Sequence, residues 1–351
     1  YIKKPYYLNI YDHDAYYTRL FRLFNKWALP LGLASQIADA RVQLLKKRNS
    51  ILELEAEYDA FTAFAGRMLL NHKVNLQLIN NGEVSHYVKI PLSDKAHSGI
   101  ENEYKVLKEL SAHKFEHLEI PNAEKKGNKL MVSNLRETQK RPVDELTTLH
   151  LLGIKELMEV KRESLSLEAY IKRKKIHEAL ATIQNRVENH QTPSGVSPAM
   201  CSELFTGTLK LIDTCKLESE LTIGWAHNDF APWNCLLEND KLKLYDWEQA
   251  DDYSILGKDV FEFIFQKLEE TKIDPEKPLK EFMDFISQAE HLNMIRSGGN
   301  SAEMLFKVTL IERVSRQFSR FITKKSLHYE LNWKLYTWKM LLNKALEIRI
   351  D

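Results

Sequence analysis

A short stretch at residues 225–248 predicts two antiparallel strands joined by a tight polar turn. Leu236 and Leu237 form an adjacent apolar pair, whereas Leu242 and Leu244 alternate with lysines in the second strand. Alternation of this kind on either side of a polar turn is typical of a half-buried hairpin. Because a chain enters and leaves a hairpin at the same end, the polar residues that flank its strands are expected to lie close together.

Three polar side chains flank this hairpin. Asp229 and Asn234 precede the first strand, and Asp246 follows the second. Phosphoryl transfer needs a carboxylate that orients or deprotonates the attacking hydroxyl, together with oxygen ligands for magnesium. Asp229 fits the first role, and Asn234 and Asp246 fit the second. Each of these residues taken alone is more often a turn residue, so the prediction depends on the whole ordered pattern.

The loop sequence carries a family resemblance. Residues 227–234 read His-Asn-Asp-Phe-Ala-Pro-Trp-Asn and residues 246–248 read Asp-Trp-Glu, which resembles the catalytic and metal-binding loops of the protein-kinase-like superfamily. Within it, the segment looks most like the aminoglycoside phosphotransferase and choline kinase family. That family usually has Gly where this chain has Asn228, and the three chemical positions are intact. His227 is expected to fix the loop by hydrogen bonding.

The resemblance implies a fold class and three regions. The fold is expected to be α+β and bilobal, protein-kinase-like, with an antiparallel-sheet N-lobe and a mainly helical C-lobe. Residues 1–50 read as a helical N-terminal extension, 51–140 as the nucleotide-binding N-lobe, and 141–351 as the catalytic and acceptor-binding C-lobe. The extension either packs on the nucleotide lobe or supplies a surface for a partner.

Strand signals dominate the first of these lobes. Residues 74–79 alternate strictly and are followed by Asn-Asn-Gly and by a second apolar run at 84–90, so a hairpin is predicted. The second strand ends near Lys89, which by resemblance would reach the α- and β-phosphates of a nucleotide. An ordinary edge-strand lysine is the alternative.

A helix at residues 100–110 is expected to supply a partner for Lys89. Glu103 shares a helix face with Leu107 and Leu110, and the resemblance places the partner glutamate here. Glu101 is the alternative, and a solvated carboxylate is the competing interpretation for either residue.

The remaining nucleotide contacts have weaker signals. The phosphate-covering loop falls at residues 66–73, which contain one glycine, Gly66, and no Gly-x-Gly-x-x-Gly pattern. Backbone amides near Gly66 are the expected phosphate contact. A further hairpin is predicted over residues 120–135, and by resemblance adenine would bond to the backbone near Val132 and Ser133.

The second lobe is predicted to be mostly helical. Residues 167–187 read as a single helix, and the basic run at 172–175 within it reads as a solvated face. Asp259 begins another helix. By resemblance it would brace the catalytic loop, and a carboxylate at a helix N-terminus is the equally supported alternative.

Composition excludes several classes of protein. Lys plus Arg number 50 and Asp plus Glu 49, a net charge of +1 that gives no reason to expect nucleic-acid binding. The longest apolar stretches are too short and too broken to span a bilayer. The three cysteines have neither paired nor zinc-like spacing, so reduced thiols in a cytoplasmic protein are expected.

These patterns predict an ATP- and Mg²⁺-dependent kinase that phosphorylates a hydroxyl of a small molecule, whether an amino alcohol, an aminoglycoside or a sugar. A catalytically inactive nucleotide-binding scaffold and a protein kinase are the alternatives. Only about ten residues separate Asp246–Glu248 from the helix at Asp259, too few for an activation segment. The role of Glu248 is open. Aromatic and acidic residues near the loop are candidates for the acceptor pocket, and core packing is the competing interpretation for most of them: Trp233, Trp247, Asp251, Asp252, Tyr253, Trp333 and Trp338.

Overall fold

The computed structural model describes residues 58–65, 72–136, 145–270, 276–324 and 329–350. The predicted N-terminal extension and Gly66 lie outside these ranges. Within them, residues 58–112 and 120–136 form one compact unit, and residues 113–119 and 145–350 form a second.

The first unit is built on an antiparallel sheet. Its strands are β1 (Ala60–Ala65), β2 (Lys73–Asn80), β3 (Glu83–Pro91), β5 (Ala123–Lys126) and β6 (Lys129–Ser133), and its helix is α1 (Asp94–Leu110). The sheet order is β1-β2-β3-β6-β5, with every neighbouring pair antiparallel. Strand β4 (Leu118–Glu119) falls between these elements in the chain and belongs to the second unit.

The predicted Asn-Gly hairpin is confirmed as the β2–β3 connection. Asn81 and Gly82 both have positive φ, 52° and 80°, as a tight turn compatible with the twist of antiparallel strands requires. The hairpin carries Leu76, Leu78 and Val88 into a small apolar core. This core fixes the face of β3 on which each side chain lies.

The second unit combines two small sheets with a set of helices. The strands are β4 (Leu118–Glu119), β7 (Glu163–Ser166), β8 (Glu220–Ala226), β9 (Cys235–Glu238), β10 (Lys241–Leu244) and β11 (Asp251–Ile255). One sheet has the order β4-β10-β9 and the other β11-β8-β7. The described helices are α2 (Thr148–Glu159), α3 (Leu167–Arg173), α4 (Ile176–Glu188), α5 (Pro198–Asp213), α6 (Lys258–Glu270), α7 (Lys277–Ile286), α8 (Ala289–Ser297), α9 (Ala302–Ile322) and α10 (Tyr329–Glu347).

The predicted hairpin near the centre of the chain is confirmed as β9–β10. Leu242 lies opposite Leu237 and Lys243 opposite Leu236 in an antiparallel register. The turn residues Asn239 and Asp240 both have positive φ, which short Asn and Asp side chains tolerate.

The prediction of one helix over residues 167–187 is wrong. The chain breaks between α3 and α4 at Lys175, whose φ is +55°. Lys174, immediately before the break, is buried rather than solvated. Its Nζ donates to Asp251 Oδ2 at 2.7 Å and lies 3.6 Å from Glu312 Oε1. The end of the helix therefore coincides with ionic contacts between this lysine and two carboxylates. The periodicity of the sequence does not indicate these contacts.

Aromatic packing sets the orientation of α6. Phe261 and Phe265 on this helix pack against Phe282 of α7 and Phe306 of α9. Aromatic pairs of this kind contribute about 0.5–1.5 kcal/mol each beyond area burial. Because its apolar residues face α7 and α9, the polar residues of α6 are left on another side of the helix.

The α+β fold class is confirmed, with an antiparallel-sheet unit followed by a mainly helical one. The small sheet of β7, β8 and β11 was not expected within the helical region. None of the described helices combines the length and the apolar character needed to cross a membrane. Cys201, Cys215 and Cys235 are buried free thiols.

Candidate active site

The backbone of the candidate catalytic loop is held by Asp259 in the first turn of α6. Its Oδ2 accepts the N–H of His227 at 2.7 Å, and its Oδ1 accepts the N–H of Asn228 at 3.0 Å. Burial raises the pKa of the Asp259 carboxyl to about 6, against the opposing effect of the two amides. Asp259 therefore fits both interpretations from the sequence, because it lies in the first turn of a helix and its carboxylate also braces the loop.

Asn228 adopts the backbone conformation for which glycine is usually chosen. Its φ is +62°, in the left-handed region that costs most residues about 1 kcal/mol or more. The side chain compensates, because Nδ2 donates to the carbonyl of Gln249 at 3.1 Å and Oδ1 accepts from Ser254 Oγ at 2.9 Å. A glycine could make neither contact, so asparagine gives this loop two additional anchors.

The carboxylate of Asp229 is held at both oxygens by side-chain amides. Asn234 Nδ2 donates to Oδ2 at 3.1 Å and also to the Asp229 carbonyl at 2.9 Å. Gln266 Nε2, from α6, donates to Oδ1 at 2.8 Å. Since both partners of Asn234 Nδ2 are acceptors, the hydrogen-bond network fixes which end of the Asn234 amide is nitrogen.

The surroundings of Asp229 disfavour its charged form. Burial raises its pKa to about 7, and the neighbouring carboxylates of Asp246 and Glu262 add to the rise. Arg313 and the Asn234 hydrogen bond act in the opposite direction. The carboxyl group of Asp229 therefore holds its proton more tightly than a solvated aspartate does.

Asp246 is linked to the loop through the residue before it. The backbone N–H of Tyr245 donates to the carbonyl of Asn234 at 2.9 Å. The carbonyl of Tyr245 lies 2.8 Å from Nε2 of the buried His227 ring, which therefore acts as the donor. His227 thus fixes the loop, and Asp246 follows with a φ of +60°. One hydrogen-bonded unit in this way contains Asp229, Asn234 and the backbone leading into Asp246.

In the first unit, Lys89 of β3 is paired with Glu103 of α1. The Lys89 Nζ donates to both carboxylate oxygens, at 2.8 and 2.7 Å, and both residues are buried. Glu101 is more exposed and pairs with Lys125 instead. The helix therefore presents Glu103 rather than Glu101 to the strand that carries Lys89.

Val132 and Ser133 lie in β6, between β3 and β5. The Ser133 N–H donates to the carbonyl of Asn122, and Ser133 Oγ accepts from the Asn122 N–H, both at 2.9 Å. The backbone N–H of Ser133 is therefore already hydrogen-bonded to the residue that precedes β5.

Most residues considered for an acceptor pocket have other partners. Trp247 is buried against the His227 ring, with centroids 4.8 Å apart, and Trp338 is buried with its indole N–H donating to Glu269. Asp251 pairs with Lys174, and Asp252 with Lys161. Two further aromatics also have contacts: Tyr253 with the Arg173 guanidinium above its ring, and Trp333 with the Leu268 carbonyl. Trp233 differs, because 48% of its surface is exposed beside Asn234.

A second group of ligand-type side chains lies at Glu116, His117 and Glu156. The Glu156 carboxylate accepts the backbone N–H groups of Glu116, His117 and Leu118 at 2.8–3.0 Å. Amide hydrogens that converge on this carboxylate occupy the positions a cation would need. The cluster therefore anchors β4 to α2.

Sequence reasoning missed several buried polar residues around the loop. They are Lys174, Ser254, Gln266, Glu312 and Arg313. The sequence of α6 does not signal this burial, because most of its apolar residues lie on one side of the helix and most of its polar residues on the other, as in a helix with a solvated face.

No protein-family model matches this sequence, and no curated protein matches it. The chain is similar to solved aminoglycoside phosphotransferases, the group that its loop sequence resembles. ADP-bound APH(2'')-Ib is 12% identical, with 90% of this chain and 97% of that chain covered and a TM-score of 0.46. The streptomycin–ATP complex of APH(2")-IIa is 12% identical, with 97% and 98% covered and a TM-score of 0.44. APH(4)-Ia is 11% identical, with 90% and 98% covered and a TM-score of 0.46. Similarity at this level carries no conclusion about a substrate, and the function is inferred from this chain's own residues.

Proposed function

We propose that this chain transfers the γ-phosphoryl group of ATP to a hydroxyl group of a small molecule. The observation that carries the proposal is the single hydrogen-bonded unit containing Asp229, Asn234 and the backbone that leads into Asp246. Phosphoryl transfer requires few covalent steps from a protein and depends on positioning and charge neutralisation. A carboxylate fixed beside cation ligands is the arrangement that this chemistry needs.

Asp229 is proposed as the residue that orients the acceptor hydroxyl and accepts its proton. Its two oxygens are held by amides, and each carboxylate oxygen can accept a further hydrogen bond. The carboxylate therefore combines a fixed orientation with a free acceptor position for the hydroxyl.

Asn234 and Asp246 are proposed as magnesium ligands. The nitrogen of the Asn234 amide is turned toward Asp229, which leaves its carbonyl oxygen as the available ligand atom. Asp246 adds a carboxylate. Its repulsion of Asp229, which adds to the effect of burial in raising the pKa of Asp229, would be relieved by a bound cation. The residues fit Mg²⁺, which when bound would neutralise charge on the phosphate oxygens.

Lys89 is proposed to bind the inner phosphates of ATP. Its pairing with Glu103 holds the ammonium group in place, and an ammonium group is a charged donor suited to phosphate oxygens. Gly66, proposed for the phosphate grip, lies outside the described residues. Adenine is proposed to bind near Val132 and Ser133, through backbone groups other than the hydrogen-bonded Ser133 N–H.

The acceptor is proposed to be an amino alcohol, an aminoglycoside or a sugar. Asp251 and Asp252 are paired with lysines, so neither offers an uncompensated charge to a cationic acceptor. Trp233 is exposed next to Asn234, and aromatic faces bind both sugar rings and cationic amines. Trp233 is therefore the proposed acceptor contact.

A coupled assay of ATP turnover with Mg²⁺, run against panels of amino alcohols, aminoglycosides and sugars, tests the proposal. The wild-type chain should turn over ATP with at least one panel, and Asp229→Asn should reduce kcat by about a thousandfold or more. Asp284→Asn, an exposed position on α7, is the matched control and should retain activity. Turnover that survives in Asp229→Asn would overturn the role of Asp229.

The same assay separates the alternatives. ATP binding without turnover on any panel would favour an inactive scaffold. Transfer of label from ATP to added proteins, with no small molecule phosphorylated, would favour a protein kinase.

A further inference from the structure

Helix α6 carries a row of buried polar residues on one face. Asp259, Glu262, Gln266 and Glu269 follow one another at spacings of three, four and three residues, which places them along the same side of a helix. Each is at most 9% exposed. Burial of a polar group is costly unless it has a hydrogen-bond partner, so each member of the row needs one.

Two members of the row are paired with one arginine. Arg313 of α9 donates from Nε and Nη2 to the two oxygens of Glu269, at 2.6 and 2.7 Å, and from Nη1 to Glu262. Asp259 accepts the loop amides described above. These three carboxylates therefore have structural partners that account for their positions.

Gln266 is the neutral member, and its partner is the candidate catalytic group. Its Nε2 donates to Asp229 Oδ1 at 2.8 Å, across 37 residues of sequence. Asn234 holds the other oxygen. With both oxygens held, the carboxylate has little freedom to rotate about its Cβ–Cγ bond.

An uncharged donor has a specific advantage at this position. A lysine or arginine in direct contact would hold the carboxylate equally well, but it would stabilise the anion and make it a poorer proton acceptor. Arg313, whose charge does lower the pKa of Asp229, is itself paired with Glu262 and Glu269. The structure thus separates orientation, supplied by an amide, from charge compensation.

We propose that Gln266 is a positioning residue for Asp229, fixing the orientation in which its carboxylate meets the acceptor hydroxyl. The kinetic part of this inference rests on the proposed function, whereas the contact itself does not. A misplacement of about 1 Å in a reacting group can cost about a hundredfold in rate. Loss of one of the two amides should therefore lower kcat measurably.

Two near-isosteric variants test the inference. Gln266→Met keeps the length and volume of the side chain and removes the donor, and Gln266→Glu replaces the donor with a carboxylate. Gln184→Met, on the exposed side of α4, is the matched control. We expect Gln266→Met to lower kcat about tenfold to a hundredfold and Gln266→Glu to lower it further. The KM for ATP should change less than twofold in both, and Gln184→Met should match the wild type. A loss of thermal stability in Gln266→Met with unchanged kcat would show a merely structural role and overturn the proposal.

A measurement without turnover distinguishes this inference from the proposed function. In ¹H–¹⁵N spectra of the full chain, the side-chain amide signal of Gln266 is assigned by its disappearance in Gln266→Met. That signal should shift in Asp229→Ala and stay unchanged in Asp284→Asn. If ATP is never turned over but the signal responds to Asp229→Ala, the proposed function fails and the orienting contact is supported. If the chemical shift of the Gln266 amide is the same in Asp229→Ala as in the wild type, the contact between Gln266 and Asp229 is overturned, whether or not the protein turns over ATP.

Discussion

The carboxylate of Asp259 accepts the backbone N–H of His227 at 2.7 Å, so the first turn of α6 fixes the point at which the loop leaves β8. Replacement by alanine would leave this N–H and that of Asn228 without their acceptor. A buried donor without a partner costs about 1–3 kcal/mol. We therefore expect Asp259→Ala to lower the free energy of unfolding by at least that amount, measured by urea denaturation.

Turnover should fall in Asp259→Ala as well, because the loop carries Asp229. The control is Asp284→Ala on the exposed side of α7, for which a change within about 0.5 kcal/mol is expected. Equal stability of Asp259→Ala and the control would contradict the bracing role.

Asn228 offers a test of the left-handed conformation in the loop. Gly at this position relieves the positive φ but loses the contacts to Gln249 and Ser254. Ala loses the same contacts and keeps the strain of about 1 kcal/mol. The free energy of unfolding is therefore expected to be highest in the wild type, lower in Asn228→Gly and lowest in Asn228→Ala. Thermal and urea denaturation of the three proteins check it, and an alanine variant as stable as the glycine variant would show that strain is not important there.

The basic run at residues 172–175 provides a paired test of burial. Lys174 is buried against Asp251 and Glu312, whereas Lys172 is exposed. Removal of one partner from a buried ion pair costs about 3–5 kcal/mol because a charge is left uncompensated. Lys174→Met should lose about that much stability in urea denaturation, and Lys172→Met should change by less than about 0.5 kcal/mol. Similar values for the two variants would contradict the buried network.

The parts of the fold that sequence could predict are those with local signals. The Asn-Gly turn and the alternation in β9 and β10 identify both hairpins, because turn geometry and a two-residue period act over a few positions. The break between α3 and α4 has no such signal. It accompanies contacts of Lys174 with Asp251 and Glu312, 77 and 138 residues further along the chain.

The candidate site divides in the same way. Asp229, Asn234 and Asp246 are found from an ordered motif, because chemistry requires those residue types at that spacing. Gln266 and Arg313 contact the loop or its supports from other helices, and no motif marks them. In the sequence, the polar row of α6 has the pattern of a solvated helix face, so its burial is not apparent there.

His150 predicts a pH dependence of stability. In the first turn of α2, its Nδ1 accepts the backbone N–H of Thr147 at 3.1 Å, and the ring packs edge-on against Phe230 and Phe263. Burial lowers the pKa of His150 from 6.5 to about 4. As the pH falls, His150 therefore takes up a proton near pH 6.5 in the unfolded chain but only near pH 4 in the folded chain. The stabilising contribution is fully present above pH 6.5 and is lost as the pH falls toward 4, by up to about 3 kcal/mol.

A His150→Gln variant separates this effect from other titrating groups. Glutamine at the third position of a helix can also accept the N–H of the capping residue, and it does not titrate. Urea denaturation from pH 7 to pH 4 should show a smaller loss of stability in His150→Gln than in the wild type, with the two curves diverging below pH 6.5. Parallel curves over this range would show that His150 takes up its proton equally well in both states, which would contradict its burial as a neutral ring.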